Sequence, residues 1–261
     1  MKTVSDKKIK RIVNSHKRWL KDTSTGEKAN FTDMDLSNKD LSGLDLRFAS
    51  FSNANLLNPE ATVTAANLTG ANLSNTNLYR AYLADVNLYE ANLQNTRLDE
   101  AELYDAKLYK ANLTKANLSY AKLSRANLVN TILTEADLSN ARLSEAQLIN
   151  AFLYKANLQE AYLGHANISG AVLREADLTD ATLFGTSINK TDFGNDIVQV
   201  FSFKEFYCYR YNDKFTVDCE THTIEEWKSF TDEQLKRMGN SCDGMRMLTF
   251  YHTTLLKLLE L

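Results

Sequence analysis

A leucine recurs at every fifth position through most of this chain, and no other feature constrains its fold as strongly. These central positions run in steps of five from 31 to 56 and again from 63 to 193. They make 33 repeats, of which 27 have Leu at the centre. The step between the two series is seven residues, so two extra residues enter near Asn58 and Pro59.

The period of five fits neither an ordinary helix nor an ordinary strand. Five residues turn an α-helix by about 500°, so successive leucines would drift by about 140° and scatter around the helix. In a strand, an odd period would place successive leucines on opposite faces. A chain that turns by a right angle at each repeat points every leucine at one axis. Four repeats, or 20 residues, then close one coil of a solenoid.

Two neighbouring positions support this interpretation. The residue two before the centre is Ala in 24 repeats and Thr in five, as expected of an inward corner that admits only a small side chain. The residue immediately before the centre is Asn or Asp in 18 repeats. Those short polar side chains can hydrogen-bond nearby backbone and favour turns.

Runs such as LYKANLTKANLSYAKL resemble the A(D/N)LXX pattern of the pentapeptide-repeat family. The resemblance covers residues 29–193 and implies an all-β solenoid, the right-handed quadrilateral β-helix, here of about eight coils. Its handedness comes from the family and not from the spacing. Larger residues replace the inward Ala at Met34, Lys39 and Leu44, so we expect the first coil to be irregular or covered.

Residues 1–28 form a lead-in with the pattern of a capping helix, which an open solenoid end requires. Ser5 is a candidate N-cap, and one face carries the apolar or aromatic positions Ile9, Ile12, Val13, His16 and Leu20. The remaining surface is basic, with Lys7, Lys8, Lys10, Arg11, Lys17, Arg18 and Lys21. That surface fits a solvated face of a capping helix, or else a binding patch for an acidic partner.

Residues 194–261 lack the repeat and predict a small α+β C-terminal module. Three strands are expected in IVQVFSF, FYCYRY and KFTVDC, with a hairpin turn at Asn212-Asp213. Thr223 and Glu226 predict a capping box and a helix from Ile224. A last helix is expected over about 243–260. The stretch CETHTIEEWKSF and its upstream hairpin resemble C-terminal modules of phage and bacterial pentapeptide-repeat proteins, a resemblance that implies no chemistry.

No catalytic signature is present in the sequence, so we expect no enzymatic activity and no cofactor. Cys219 and His222 have a C-x-x-H spacing that Cys208 and Cys242 could in principle complete as a zinc site. The spacing lacks the paired C-x-x-C of common zinc sites, so structural thiols are favoured and no metal is expected. The odd cysteine count and the lack of an apolar signal segment or membrane span predict a cytoplasmic protein.

These features favour a non-catalytic protein-interaction scaffold whose partner the sequence does not identify. The alternative is a DNA-mimicking topoisomerase-binding protein of the quinolone-resistance type known in the resembled family. Duplex DNA carries one charge per ~1.7 Å, so a rod of roughly 40 Å should show on the order of 23 uncompensated charges. Residues 31–193 hold 19 acids and 13 bases, a net charge of −6. The mimic is therefore disfavoured unless the acids segregate to one face; a nucleic-acid partner and a membrane partner are not expected.

One candidate interaction surface follows from stacking every twentieth residue. The position before the centre on one face reads Asn72, Asn92, Asn112, Ile132, Phe152, Val172 and Asp192. The position after the centre on the preceding face reads Tyr89, Tyr109, Val129, Ile149 and Ser169. Together Val129, Ile132, Ile149, Phe152 and Val172 predict an apolar patch. It could serve self-association, packing of the C-terminal helix or an external partner, or it could reflect only the preference of strands for β-branched residues.

Overall fold

The computed structural model describes residues 2–56, 63–196, 198–202, 207–217, 220–238, 254–255 and 257. The chain divides into two compact units, Met1–Asn195 and Asp196–Leu261, which are described separately below. No helix among the described residues is both long and apolar enough to cross a membrane.

Parallel β-bridges 20 residues apart build the first unit. Four successive bridges are Glu102 to Lys122, Lys107 to Asn127, Asn112 to Ile132 and Asn117 to Asp137. We number the four faces that contain these bridges face 1 to face 4. The bridged residue on every face is the one immediately before the central residue of a repeat. The period of five thus produces a four-sided solenoid, with one repeat on each side of every coil.

The central and the small inward positions form one continuous core. Leu113, Leu118 and Leu128 are fully buried, as are Ala111 and Ala121. Close packing of leucines beside alanines leaves no room for larger inward residues. The structure therefore agrees with the inward assignment that the sequence predicts for both positions.

The chain turns at each corner through a hydrogen-bonded four-residue turn. At one corner the N–H of Ala116 donates to the carbonyl of Leu113 at 2.9 Å, and Lys115, the third residue of the turn, has φ of 58°. A positive φ at that third position is the pattern of a type II turn. The same position has a positive φ at corner after corner, although most of its residues are not glycine.

Asparagine before the centre stabilises these corners from outside. The Oδ1 of Asn117 accepts hydrogen bonds from the backbone N–H of Ser119 at 3.0 Å and from its hydroxyl at 2.8 Å. Asparagines also bond between coils, as where the Asn77 amide donates to Asn55 at 3.1 Å. The Asn preference of the sequence therefore has two causes, a local turn and a ladder along the face.

The two extra residues leave the register of the coils intact. Bridges before them join residues 20 apart, as in Asp35 to Asn55, and bridges across them join residues 22 apart, as in Asn55 to Asn77. Later bridges return to a separation of 20. The seven-residue step predicts that Leu57–Glu60 bulge from the solenoid without breaking it, and these four residues lie outside the described ones.

A short strand and a helix lie at the N-terminal end of the solenoid. Strand β1, Lys2–Thr3, pairs in parallel with β2, Met34–Asp35, in the first coil. Helix α1, Asp6–Lys21, is N-capped by Ser5 and buries Ile9, Val13 and His16.

Contacts join α1 to the first coils. The N–H of Ala29 donates to Nδ1 of His16 at 3.1 Å, Lys39 pairs with Asp6 at 2.8 Å, and the Trp19 and Phe48 rings meet edge to face. The first coil keeps the regular turns, since the N–H of Lys39 donates to the carbonyl of Leu36. The coil is therefore regular, and the larger residues Met34, Lys39 and Leu44 at the small-residue position are half-buried at the end that α1 contacts.

The second unit contains an antiparallel four-stranded meander. Its strands are β3 Val198–Ser202, β4 Tyr207–Tyr211, β5 Lys214–Val217 and β6 Glu220–Thr223, paired in chain order.

Two short helices follow the meander. The β4–β5 turn is at Asn212-Asp213, and α2, Ile224–Ser229, begins with the capping box of Thr223 and Glu226. Strand β6 and helix α3, Asp232–Met238, are not among the elements that the sequence predicts. The helix expected over 243–260 lies almost wholly outside the described residues.

Candidate interaction surface

The bridge column of face 3 changes from polar to apolar along the solenoid. Asn92 bridges Asn112, Asn112 bridges Ile132, Ile132 bridges Phe152 and Phe152 bridges Val172. The column ends at Asp192. The three apolar side chains are therefore one coil apart on the same face, as the sequence stacking predicts.

The second part of the predicted patch lies across the corner that precedes face 3. The N–H of Lys110 donates to the carbonyl of Val129 at 3.1 Å, and the N–H of Asn130 donates to that of Ile149 at 2.9 Å. Val129 and Ile149 are thus stacked one coil apart at the end of face 2. The structure places all five predicted residues on adjoining columns: Val129, Ile132, Ile149, Phe152 and Val172. We call this set the apolar patch.

Side-chain exposure is concentrated at the centre of the apolar patch. Phe152 is 50% exposed and Ile132 is 37% exposed, while Val129, Ile149 and Val172 are half-buried. The described part of the chain has four other large exposed hydrophobic residues, Phe48, Tyr82, Tyr120 and Tyr162, and no two of them lie on adjacent coils of one column. Contiguous exposed apolar residues are the feature that distinguishes contact surfaces from scattered exposure.

Aromatic and ionic contacts border the apolar patch at both ends. Toward the N-terminal end, the rings of Tyr89 and Tyr109 stack with centroids 5.5 Å apart, and Lys110 lies 5.4 Å from the Tyr109 centroid. Toward the C-terminal end, Arg174 pairs with Asp192 at 2.6 Å. The Gly194 N–H and then Arg174 lower the pKa of Asp192, which keeps this carboxylate charged.

Ion pairs between coils are a surface feature that the sequence reasoning missed. They join residues 20 apart at the corners, as in Arg80 with Glu100, Arg125 with Asp105 and Lys155 with Glu175. Opposite charges at a spacing of 20 are a readable signal once the coil length is known. These exposed pairs add little stability individually.

Metal-ligating side chains do not cluster anywhere in the described part of the chain. Cys208 is buried in the second unit. Cys219 and Cys242, which the weak zinc hypothesis needs, lie outside the described residues.

A four-sided solenoid of five-residue repeats defines a recognisable class of protein. The family model for pentapeptide repeats matches residues 27–56, 60–95, 81–119, 121–159 and 156–195, which is more than half of the chain. The chain belongs to the pentapeptide-repeat family, whose fold is the right-handed quadrilateral β-helix. The match ends at residue 195 and does not extend into the second unit.

Solved structures of the family resemble this chain. QnrB1, a plasmid-mediated fluoroquinolone resistance protein, is 20% identical, with 62% of this chain and 84% of QnrB1 covered and a TM-score of 0.50. HetL, involved in heterocyst differentiation regulation in the cyanobacterium Nostoc sp. strain PCC 7120, is 29% identical. That comparison covers 72% of this chain and 94% of HetL with a TM-score of 0.33. No curated protein matches the chain in a sequence comparison.

Proposed function

We propose that this protein is a non-catalytic, cytoplasmic protein-interaction scaffold that contacts its partner through the apolar patch. The observation that carries the proposal is the exposure of Phe152 and Ile132 on adjacent coils of face 3. Burying these two side chains against a partner would stabilise the complex by about 25 cal/mol per Å² of apolar surface removed from water. The bordering half-buried residues extend that surface across the corner.

A rigid surface suits this role. The patch residues lie on backbone held by hydrogen bonds to the coils on both sides, such as Ile132 N–H to the Ala111 carbonyl and Leu133 N–H to that of Phe152. A preorganised surface does not lose backbone entropy on binding, which improves affinity for a given contact area.

The DNA-mimic hypothesis has one observation in its favour. Acids are concentrated on face 4 and its following corner, where seven acids outnumber two bases, a net of five negative charges. The acids are Asp35, Asp99, Glu100, Asp137, Glu160, Asp177 and Asp180, and the bases are Arg80 and Arg97. A duplex of about 40 Å would present on the order of 23 charges. Five charges are too few for this mimicry, and the likeness to QnrB1 concerns the fold alone.

The test is the double variant Ile132→Lys with Phe152→Lys, which leaves the inward Ala and Leu residues unchanged. The matched control is Tyr82→Lys with Tyr162→Lys, two exposed aromatic residues at the same repeat position on face 1. We expect the patch variant alone to lose partner capture from a host lysate, or to change its own oligomeric state. Equal behaviour of wild type, patch variant and control would overturn the proposal. Protection of gyrase in a topoisomerase assay would favour the DNA mimic instead.

A further inference from the structure

The outer surface of α1 is a continuous cationic strip. Its seven basic side chains are all exposed: Lys7, Lys8, Lys10, Arg11, Lys17, Arg18 and Lys21. The apolar side of the same helix is turned inward, with Ile9 and Val13 buried. Ile12, Trp19 and Leu20 are half-buried, so the fully exposed face of α1 is entirely polar or charged.

The cations of this strip are not neutralised within the described part of the chain. None of the seven takes part in an ion pair there, although cations on the solenoid corners commonly do. Three acids lie near the strip without pairing with it in the described part of the chain, and one of them, Glu27, lines the same groove as Lys8 and Arg18. Asp6 pairs with Lys39 across the end of the solenoid, and Asp22 bonds to the N–H and hydroxyl of Ser24.

The strip is long and narrow. A helix of 16 residues extends for about 24 Å. Lys7, Lys10, Lys17 and Lys21 recur on one side at spacings of three, seven and four, which is helical periodicity. The first coil, residues 29–48, carries four aspartates, at positions 33, 35, 40 and 45, against two cations, Lys39 and Arg47. Cations are therefore dense on α1, whereas the first coil is net negative.

These dimensions discriminate among anionic partners. Stable membrane attachment needs a second signal besides charge, and the apolar residues of α1 lie on its inward side, where Ile9 and Val13 are buried and Ile12, Trp19 and Leu20 are half-buried. A rigid duplex is wider than a helix and would bring phosphates toward the aspartates of the first coil, where like charges repel. A single acidic helix or extended acidic stretch fits the strip without reaching them. We propose that α1 is a docking site for an acidic segment of a partner protein.

This site is separate from the apolar patch and is tested separately. The probe is a fluorescein-labelled ten-residue polyglutamate peptide, titrated with the full chain at 50 mM salt and followed by fluorescence anisotropy. The test variant is Lys10→Glu with Lys17→Glu. The matched control is Lys107→Glu with Lys190→Glu, two exposed solenoid lysines whose reversal changes net charge equally. Circular dichroism checks that each variant is folded.

We expect the α1 variant to bind the peptide at least tenfold more weakly and the control to change by less than twofold. Binding should also weaken steeply with added salt. Parallel titrations use a 20-base-pair DNA duplex and phosphatidylserine vesicles. Absence of peptide binding by wild type, equal loss in the control, or tighter binding of duplex or vesicles than of peptide would each overturn the proposal.

Discussion

The hydroxyl of Thr131 donates a 2.8 Å hydrogen bond to the carbonyl oxygen of Leu108, a central leucine 23 residues earlier. The same carbonyl accepts the turn N–H of Ala111 at 2.9 Å, so it serves two donors. Thr76, Thr96 and Thr186 bond in the same way to the carbonyls of Phe51, Leu73 and Leu163. Threonine is tolerated in the small inward position because its buried hydroxyl always finds this acceptor.

Replacing Thr131 with Val should lower the free energy of unfolding by about 1 kcal/mol. Valine keeps the shape but lacks the donor, so the variant measures the net value of the buried hydrogen bond. The Thr131→Ala variant should fold normally, because Ala is the usual residue at this inward position. Urea denaturation followed by circular dichroism compares them; a Val variant as stable as wild type would contradict the assigned role.

Leu118 should be among the most sensitive positions of the solenoid. Leu118→Ala removes a fully buried side chain and should cost about 2–5 kcal/mol, and Leu118→Asp should prevent folding by placing a charge on the axis. The neighbouring outward change Ser119→Ala should cost no more than about 0.5 kcal/mol. Similar thermal midpoints for Leu118→Ala and Ser119→Ala would show that the inward assignment is wrong.

Tyr120 combines a left-handed backbone, with φ of 58°, with a side chain that is 59% exposed. Tyr120→Gly should raise the free energy of unfolding by up to about 1 kcal/mol, because glycine adopts this φ without strain. Tyr120→Val should lower it by about 1 kcal/mol, since a β-branched residue suits this region poorly. Ser119→Gly is the control, because Ser119 has no positive φ and glycine there should only destabilise. Thermal melts that rank Val above Gly at position 120 would contradict this account.

His16 should make the N-terminal end sensitive to acid. Its Nδ1 accepts from Ala29, its Nε2 has no hydrogen-bond partner among the described residues, and burial lowers its pKa. The charges nearest to it are those of Asp45, Arg47 and Lys28. Because the pKa of His16 is lower in the folded state, the unfolded state binds a proton more readily. The contribution of neutral His16 to the free energy of unfolding is therefore complete above pH 6.5, the ordinary pKa of histidine, and is lost as the pH falls below that value.

The measurement is the thermal midpoint between pH 7.5 and pH 5. The midpoint of wild type should fall more than that of His16→Gln, which has no titrating group. His165→Gln, at an exposed corner, is the control and should follow wild type. Parallel curves for wild type and His16→Gln would exclude His16 as the acid-sensitive group.

The sequence predicted the solenoid well because its signal is repeated 33 times. Each leucine and each small inward residue reports the same geometry, so the coil length and the column through Ile132, Phe152 and Val172 follow from counting. Asn, Asp and Gly, which favour a positive φ, fill about half of the third turn positions, but Lys, Glu, Arg and Tyr occupy others, so the sequence indicates this conformation only in part. In this fold, tertiary packing overrides the usual preference for glycine.

The second unit was harder to predict because it has no repetition to average over. Strand β6 is four residues long and polar at Thr221 and His222, so alternation alone does not indicate it. It pairs with β5, where the hydroxyls of Thr216 and Thr221 lie 2.9 Å apart. Strand pairing, rather than local sequence, defines it.

The change in bridge spacing from 20 to 22 and back to 20 has a consequence for engineering. Each coil is positioned by its hydrogen bonds to the coils above and below, so an added length of chain affects only the coil in which it occurs. We therefore expect foreign peptides, such as epitopes or affinity tags, to be tolerated between Leu56 and Val63. The two extra residues there shift none of the bridge columns that follow them.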